Sequence, residues 1–166
     1  MFTNTFKKTT IGIALASTLI AQTVVAKDID ITTVASGLEL PWAVEFLPNN
    51  ELLVTEREGR LRLIKDGKLM DQAISGTPEV YFAGQGGLLD VMLDADFANN
   101  QTLYLSYATG DRKANSTQLM SATLDGMILK NQRVLFTASP MKSTAHHYAG
   151  RIAQMDDSKR TKCQSF

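Results

Sequence analysis

Leu52-Leu53-Val54-Thr55-Glu56-Arg57-Glu58-Gly59-Arg60-Leu61-Arg62-Leu63-Ile64 is two alternating apolar runs separated by a Glu58-Gly59 break. Successive side chains of a strand point to opposite faces, so each run has one face to bury and one to leave in water. A Gly-containing break between two such runs is a hairpin signal. The pattern extends on both sides. Upstream, Trp42 to Leu47 (WAVEFL) alternates and Pro48-Asn49-Asn50 turns the chain; Ile29 to Val34 alternates before that. Downstream, Asp66-Gly67 makes another turn.

The rest of the chain repeats this style. Leu88 to Leu93 reads as a strand, Asp94 to Asn100 as a loop and Leu103 to Tyr107 as a strand; Gly110-Asp111 begins a longer loop. Gln118 to Leu124 and Arg133 to Phe136 read as two more strands, with Asp125-Gly126 between them. Arg151 to Met155 starts another run, followed by Asp156-Asp157. No stretch of ten or more residues carries a 3.6-residue period, so helix is minor and the fold class is all-β. Asn49-Asn50 before Leu52 is echoed by Asn99-Asn100 before Leu103. Four short strands every roughly 40–50 residues is the period of a β-propeller blade. A β-sandwich has short strands and Gly/Asn turns as well, and periodicity alone leaves both open.

Composition narrows the function classes. The chain has 166 residues, 17 Lys+Arg against 17 Asp+Glu, and no basic run. It therefore offers no electrostatic footprint for nucleic acid. A hydrophobic content of 44% excludes a disordered or collagen-like chain. One Cys excludes an internal disulfide framework and a Cys-based zinc site.

The first 26 residues read as an address. Lys7-Lys8, the apolar run Ile11 to Ile20 and the small-residue end Val24-Val25-Ala26 are the layout of a secretory signal peptide. The rival reading is a membrane anchor, but Thr9 to Ala26 contains Thr, Ser, Gln and Gly and is barely long enough to span a bilayer. The expectation is a periplasmic or secreted product without a stable membrane anchor. No Cys follows the cut, which argues against an acylated start, and Cys163 would be an odd thiol in an oxidising space.

Two segments carry chemistry. Gly84-Gln85-Gly86-Gly87-Leu88-Leu89-Asp90-Val91 sets a Gln, both donor and acceptor, among glycines that let backbone approach a ligand closely. No Gly-Lys-Ser/Thr follows, so it is not a phosphate loop, and a strand rather than a helix follows, so it is not a dinucleotide fingerprint. Its plain reading is a tight Gly-rich turn. His146-His147-Tyr148-Ala149-Gly150-Arg151 holds the only two histidines. Histidine is the usual general base near neutral pH. As a metal site the pair lacks a third ligand at a telling spacing; its plain reading is two loop histidines. Glu56 to Arg62 reads as a hairpin with charged outward faces.

Pro41-Trp42, Leu47-Pro48, Leu53 to Leu61, Gly84 to Val91 and His147-Tyr148-Ala149-Gly150-Arg151 stand in one order. That series resembles the soluble PQQ-dependent sugar dehydrogenases, the glucose/sorbosone dehydrogenase family, over roughly residues 35 to 157. The resemblance implies a six-bladed β-propeller with the quinone PQQ and the sugar on its top face. It implies oxidation of aldoses at the anomeric carbon to lactones. A histidine takes the hydroxyl proton, hydride passes to the quinone, calcium polarises and anchors PQQ, and electrons leave to an external acceptor. By the same resemblance Gln85 contacts cofactor and substrate and His147 is the general base. His146 stands where some members carry an Asp that helps orient the substrate pocket, and Arg151 supports the loop. The family's cationic PQQ anchors and calcium-binding backbone lie further along the chain than these residues. A non-catalytic propeller binding module and a metal-dependent propeller lactonase are the other readings.

The resulting division is 1–26 signal peptide, 27–157 partial propeller and 158–166 an aberrant tail. The tail, Ser158 to Phe166, loses the family's Gly and alternating pattern at one residue, as an out-of-frame translation would. The propeller part would be the N-terminal two blades and the start of a third. Open sheet faces and edges would then favour aggregation or proteolysis, and the chain alone would show little dehydrogenase activity.

Overall fold

A computed structural model describes residues 29–155. The signal-peptide reading of residues 1–26 and the tail reading of residues 158–166 lie outside the described residues. The chain divides at residues 32 and 33, and the architecture below belongs to the second unit.

The architecture is two four-stranded antiparallel sheets. The first holds β1 (Pro41–Phe46), β2 (Leu52–Glu56), β3 (Arg60–Lys65) and β4 (Lys68–Leu69) in sequence order. The second holds β5 (Leu88–Leu93), β6 (Thr102–Gly110), β7 (Asn115–Asp125) and β8 (Ile128–Thr137), again in sequence order. One helical turn, α1 (Phe97–Asn100), links β5 to β6. Each sheet is a meander of neighbouring hairpins, which is the build of a propeller blade.

The turn residues set the registers. Leu52–Glu56 pairs with Arg60–Ile64 without a shift, as alternation about the Glu58-Gly59 break requires. Asp66 and Gly67 both have positive φ (50° and 71°), the type I′ pattern whose twist matches a right-handed hairpin. That turn admits the short strand β4, which has too few residues to carry a periodic signal.

The fifty-residue echo is structural. Asn49-Asn50 and Asn99-Asn100 precede β2 and β6, the second strands of their sheets. Leu53 and Leu103, fifty apart, are both fully buried. They join one core with Leu61, Leu88, Leu105 and Met120, built from the inner faces of both sheets. β5 packs across β1 and β2, so the first strand of the second sheet seats on the first sheet. Burying a leucine side chain fully stabilises by about 1.5–3 kcal/mol, so this shared layer holds the two sheets together. The outer faces are apolar too: Trp42, Val44 and Phe46 are exposed on β1, and Val134 and Phe136 on β8.

Three expectations shift. Residues 29–34 and 151–155 form no strand, because neither run finds a strand to pair with among the described residues. The loop after Gly110 is short, since β7 begins at Asn115. There Asp111 accepts from the Lys113 and Ala114 N–H groups (2.7 and 2.9 Å), a side-chain turn that closes the hairpin early.

Candidate active site

The Thr55-Glu56-Arg57 run at the end of β2 builds the site from below. Thr55 Oγ1 donates to the Leu89 carbonyl (2.5 Å) and accepts from the Ala43 N–H (3.1 Å), which stitches β1, β2 and β5 together. Glu56 is fully buried and accepts from the Glu39 N–H (2.6 Å), Arg60 Nε (2.5 Å) and Arg62 Nη1 (3.3 Å). Burial pushes this carboxyl up, but the Glu39 N–H and the two guanidinium groups outweigh it and hold its pKa below the ordinary value. The same pairing raises the pKa of Arg60. This corrects the expectation of a hairpin with outward charges: the arginines fold back onto a buried carboxylate.

Arg57 turns toward the Gly-rich loop. Its Nε and Nη2 donate to the Gly86 carbonyl (3.3 and 2.9 Å), and Nη2 also donates to the Gly84 carbonyl. Its guanidinium carbon lies 5.4 Å from the centroid of the Phe82 ring, within cation–π range. The Arg57 carbonyl accepts from the Leu88 N–H at 3.0 Å. Gly87, at φ 134°, is required here, because a Cβ on it would overlap the Arg57 carbonyl.

That loop is zipped to the histidine loop, about sixty residues away in sequence. The Gln85 N–H donates to the Ala145 carbonyl (2.8 Å), and the His147 N–H donates to Gln85 Oε1 (2.9 Å). A Cβ on Gly84 would come within 2.5 Å of the Ala145 oxygen, so glycine permits this approach. His147 and Ala149 both sit in the left-handed region (φ 63° and 46°). Non-glycine residues there carry strain that the surroundings must offset.

The surroundings do so from the second sheet. Tyr148 is buried, and its hydroxyl donates to Asn115 Oδ1 (2.8 Å). Lys142 Nζ donates to the same oxygen (3.0 Å) and lies 3.5 Å from the Tyr148 ring centroid. Burial lowers the pKa of Lys142 and raises that of Tyr148. Thr117 Oγ1 donates to the Tyr148 carbonyl (2.5 Å) and Ser106 Oγ to that of Gly150. Asp90, 3% exposed, accepts from the Ile152 N–H (2.7 Å) and pairs with Arg151 Nη1 (3.1 Å). Arg151 thus braces the loop.

The result is a cleft of about 300 Å³, lined by Trp42, Arg57, Gln85, Leu89, His147 and Tyr148 among others. Gln85 and His147 meet there. His146 does not line it; its Nδ1 lies 3.1 Å from Thr144 Oγ1. Gln85 spends its oxygen on His147, which leaves its NH2 group as the donor available to a ligand. Arg57 and Trp42 were not among the expected site residues. Both lie in segments that carry the family resemblance, but nothing local gives either a place in the cleft; Arg57 reaches it through carbonyls nearly thirty residues away. Among the described residues no three His, Cys, Asp or Glu stand together as a metal set.

Two four-stranded meanders, with a cleft where their loops converge, define part of a β-propeller with a candidate site at that cleft. The chain belongs to the Glucose / Sorbosone dehydrogenase family, whose model matches residues 38–160. It is 38% identical over 128 residues to the aldose sugar dehydrogenase YliI of Escherichia coli, covering 75% of this chain and 34% of that protein. The apo-form crystal structure of the soluble aldose sugar dehydrogenase from Escherichia coli superposes with a TM-score of 0.67 at 39% identity, over 70% of this chain and 35% of that one. The PQQ-bound aldose sugar dehydrogenase of Streptomyces coelicolor gives a TM-score of 0.55 at 27% identity, over 66% and 34%. The chain spans about a third of the length of the curated relatives it matches.

Proposed function

We propose that this chain supplies the Gln85–His147 side of a PQQ-dependent site that oxidises aldoses at the anomeric carbon to lactones. The observation that carries this reading is the convergence of Gln85 and His147, from two separate loops, on one cleft. A relative with PQQ bound shares the fold, which supports the cofactor assignment.

The described residues fit one edge of such a cofactor. PQQ is planar and acidic, and the cleft offers the Trp42 and Leu89 side chains as apolar walls, the Gln85 NH2 as a donor and Arg57 as a nearby cation. When bound, PQQ supplies the two-electron acceptor that takes hydride from the anomeric carbon. Gln85 orients what sits above it by donation. His147 holds the proton released from the anomeric hydroxyl as that C–O bond becomes the lactone carbonyl. His146, next to His147 in sequence but outside the cleft lining, would act on the sugar only from the loop's other side. Among the described residues no set of three His, Cys, Asp or Glu offers calcium a carboxylate site. The external electron acceptor, and export to the periplasm or beyond, belong to this same proposal. Among the described residues no helix is long and apolar enough to cross a membrane.

Trp42 is the only tryptophan and lines the cleft, so its fluorescence reports binding. Titration with PQQ should quench it saturably, and Gln85→Ala should weaken binding about tenfold or more, the scale of one hydrogen bond to a charged ligand. Absence of saturable quenching, or an unchanged Gln85→Ala titration, would overturn the reading.

A further inference from the structure

We infer that Arg57 is a positioning residue: it holds the peptide planes that carry the Gly84 and Gly86 carbonyls, which bracket the Gln85–Gly86 unit, and so sets the direction in which the Gln85 side chain is presented. The inference rests on the reading of Gln85 as the donor that faces the ligand. The carbonyl of Gly84 and the N–H of Gln85 belong to one peptide plane. Arg57 Nη2 holds its oxygen, and the Ala145 carbonyl accepts from its N–H at 2.8 Å. The next plane but one carries the Gly86 carbonyl, which receives both Nε and Nη2 of Arg57 at 3.3 and 2.9 Å. A peptide flanked by glycines has little steric resistance to flipping. Gly84, Gly86 and Gly87 therefore leave the Gln85 backbone free, and the forked guanidinium removes that freedom.

The geometry suits arginine and not lysine. Donors from two nitrogens diverge onto two carbonyls, and the flat group also lies over Phe82. A lysine ammonium is a point charge on a flexible stem and cannot reproduce the fork. The Arg57 backbone adds a second tie, because its carbonyl accepts from Leu88 N–H at the exit of the same loop. One residue just past β2 thus holds the loop at two of its three glycine carbonyls and at its exit.

The test is amide hydrogen exchange on the full chain and its Arg57→Lys and Arg57→Ala variants, paired with the Trp42–PQQ titration. In both variants the Gln85 and His147 amides should exchange about tenfold faster or more, while Leu103 and Leu105 in β6 keep their protection. PQQ affinity should fall about tenfold in both, with no rescue by lysine. Guanidinium ion at low millimolar concentration should partly restore affinity to Arg57→Ala. If Arg57→Lys retains both wild-type exchange and wild-type affinity, the residue acts through charge alone and the inference fails. If Arg57→Ala loses protection throughout β6, Arg57→Lys decides. If wild type binds no PQQ, the proposed function fails while the exchange comparison still judges Arg57.

Discussion

The His147 N–H donates to the Gln85 side-chain oxygen at 2.9 Å, although the two residues lie on different loops. This single bond both supports a histidine in a left-handed conformation and commits the orientation of the Gln85 amide. Gln85→Glu keeps the acceptor and loses the donor. It should leave His147 amide exchange near wild type but lower affinity for the acidic PQQ by about 10- to 100-fold, since a hydrogen bond to a charged group contributes about 1.5–3 kcal/mol. Gln85→Ala should lose both. Parallel exchange and titration of the two variants check this.

The buried Glu56 carboxylate makes stability depend on acid. Its pKa is lower in the folded chain than in the unfolded one. Its stabilisation is therefore complete above the unfolded carboxyl value of about 4.3 and is lost as pH falls through the folded value. Glu56→Gln should cost about 1–3 kcal/mol near pH 7, because Arg60 and Arg62 lose a charged acceptor, and should flatten the acid limb of the stability curve. Urea midpoints measured from pH 7 down to pH 3 give both quantities.

Asp90 and Arg151 form an ion pair at 3.1 Å, yet the two residues should not be equally costly to remove. The Arg151 side chain is 76% exposed, so Arg151→Ala should change stability by less than about 1 kcal/mol. Asp90 is buried and also accepts from the Ile152 N–H, so Asp90→Ala should cost about 1–3 kcal/mol. Asp90→Ala should also speed exchange at Ile152. Denaturant unfolding of the two variants separates these roles.

The core layer and the outer faces should respond differently. Leu103 is fully buried between the sheets, and Leu103→Ala should cost about 2–5 kcal/mol. Phe136 on β8 is exposed, and Phe136→Ala should cost little while reducing self-association through the apolar face. Thermal unfolding and light scattering distinguish the two.

The sheets are legible in the sequence where a turn and two alternating runs occur together. Leu52 to Ile64 states its own register, and the Asn49/Asn99 echo marks equivalent strands. Alternation alone misleads at 29–34 and 151–155, where no described strand is available to pair. It also misleads at Thr55-Glu56. Adjacent strand residues face opposite ways, yet both are fully buried, because Arg60 and Arg62 cover one face while β5 covers the other. Gln85 and His147 stand out as candidates through a motif resemblance, and the structure brings them to one cleft. Arg57 escaped because its partners, Gly84 and Gly86, lie nearly thirty residues away and are backbone atoms. No side-chain pattern announces a contact of that kind.

The most direct test is a nitrogen–proton NMR titration of the chain with PQQ, resolved at the Gln85 side-chain NH2, the His147 backbone N–H and the Trp42 indole N–H. Saturable shifts at these three groups, with Leu53 and Leu103 amides unmoved, are what the Gln85–His147 cleft predicts. Saturation with shifts confined elsewhere, or no saturable shift at Gln85, would contradict it.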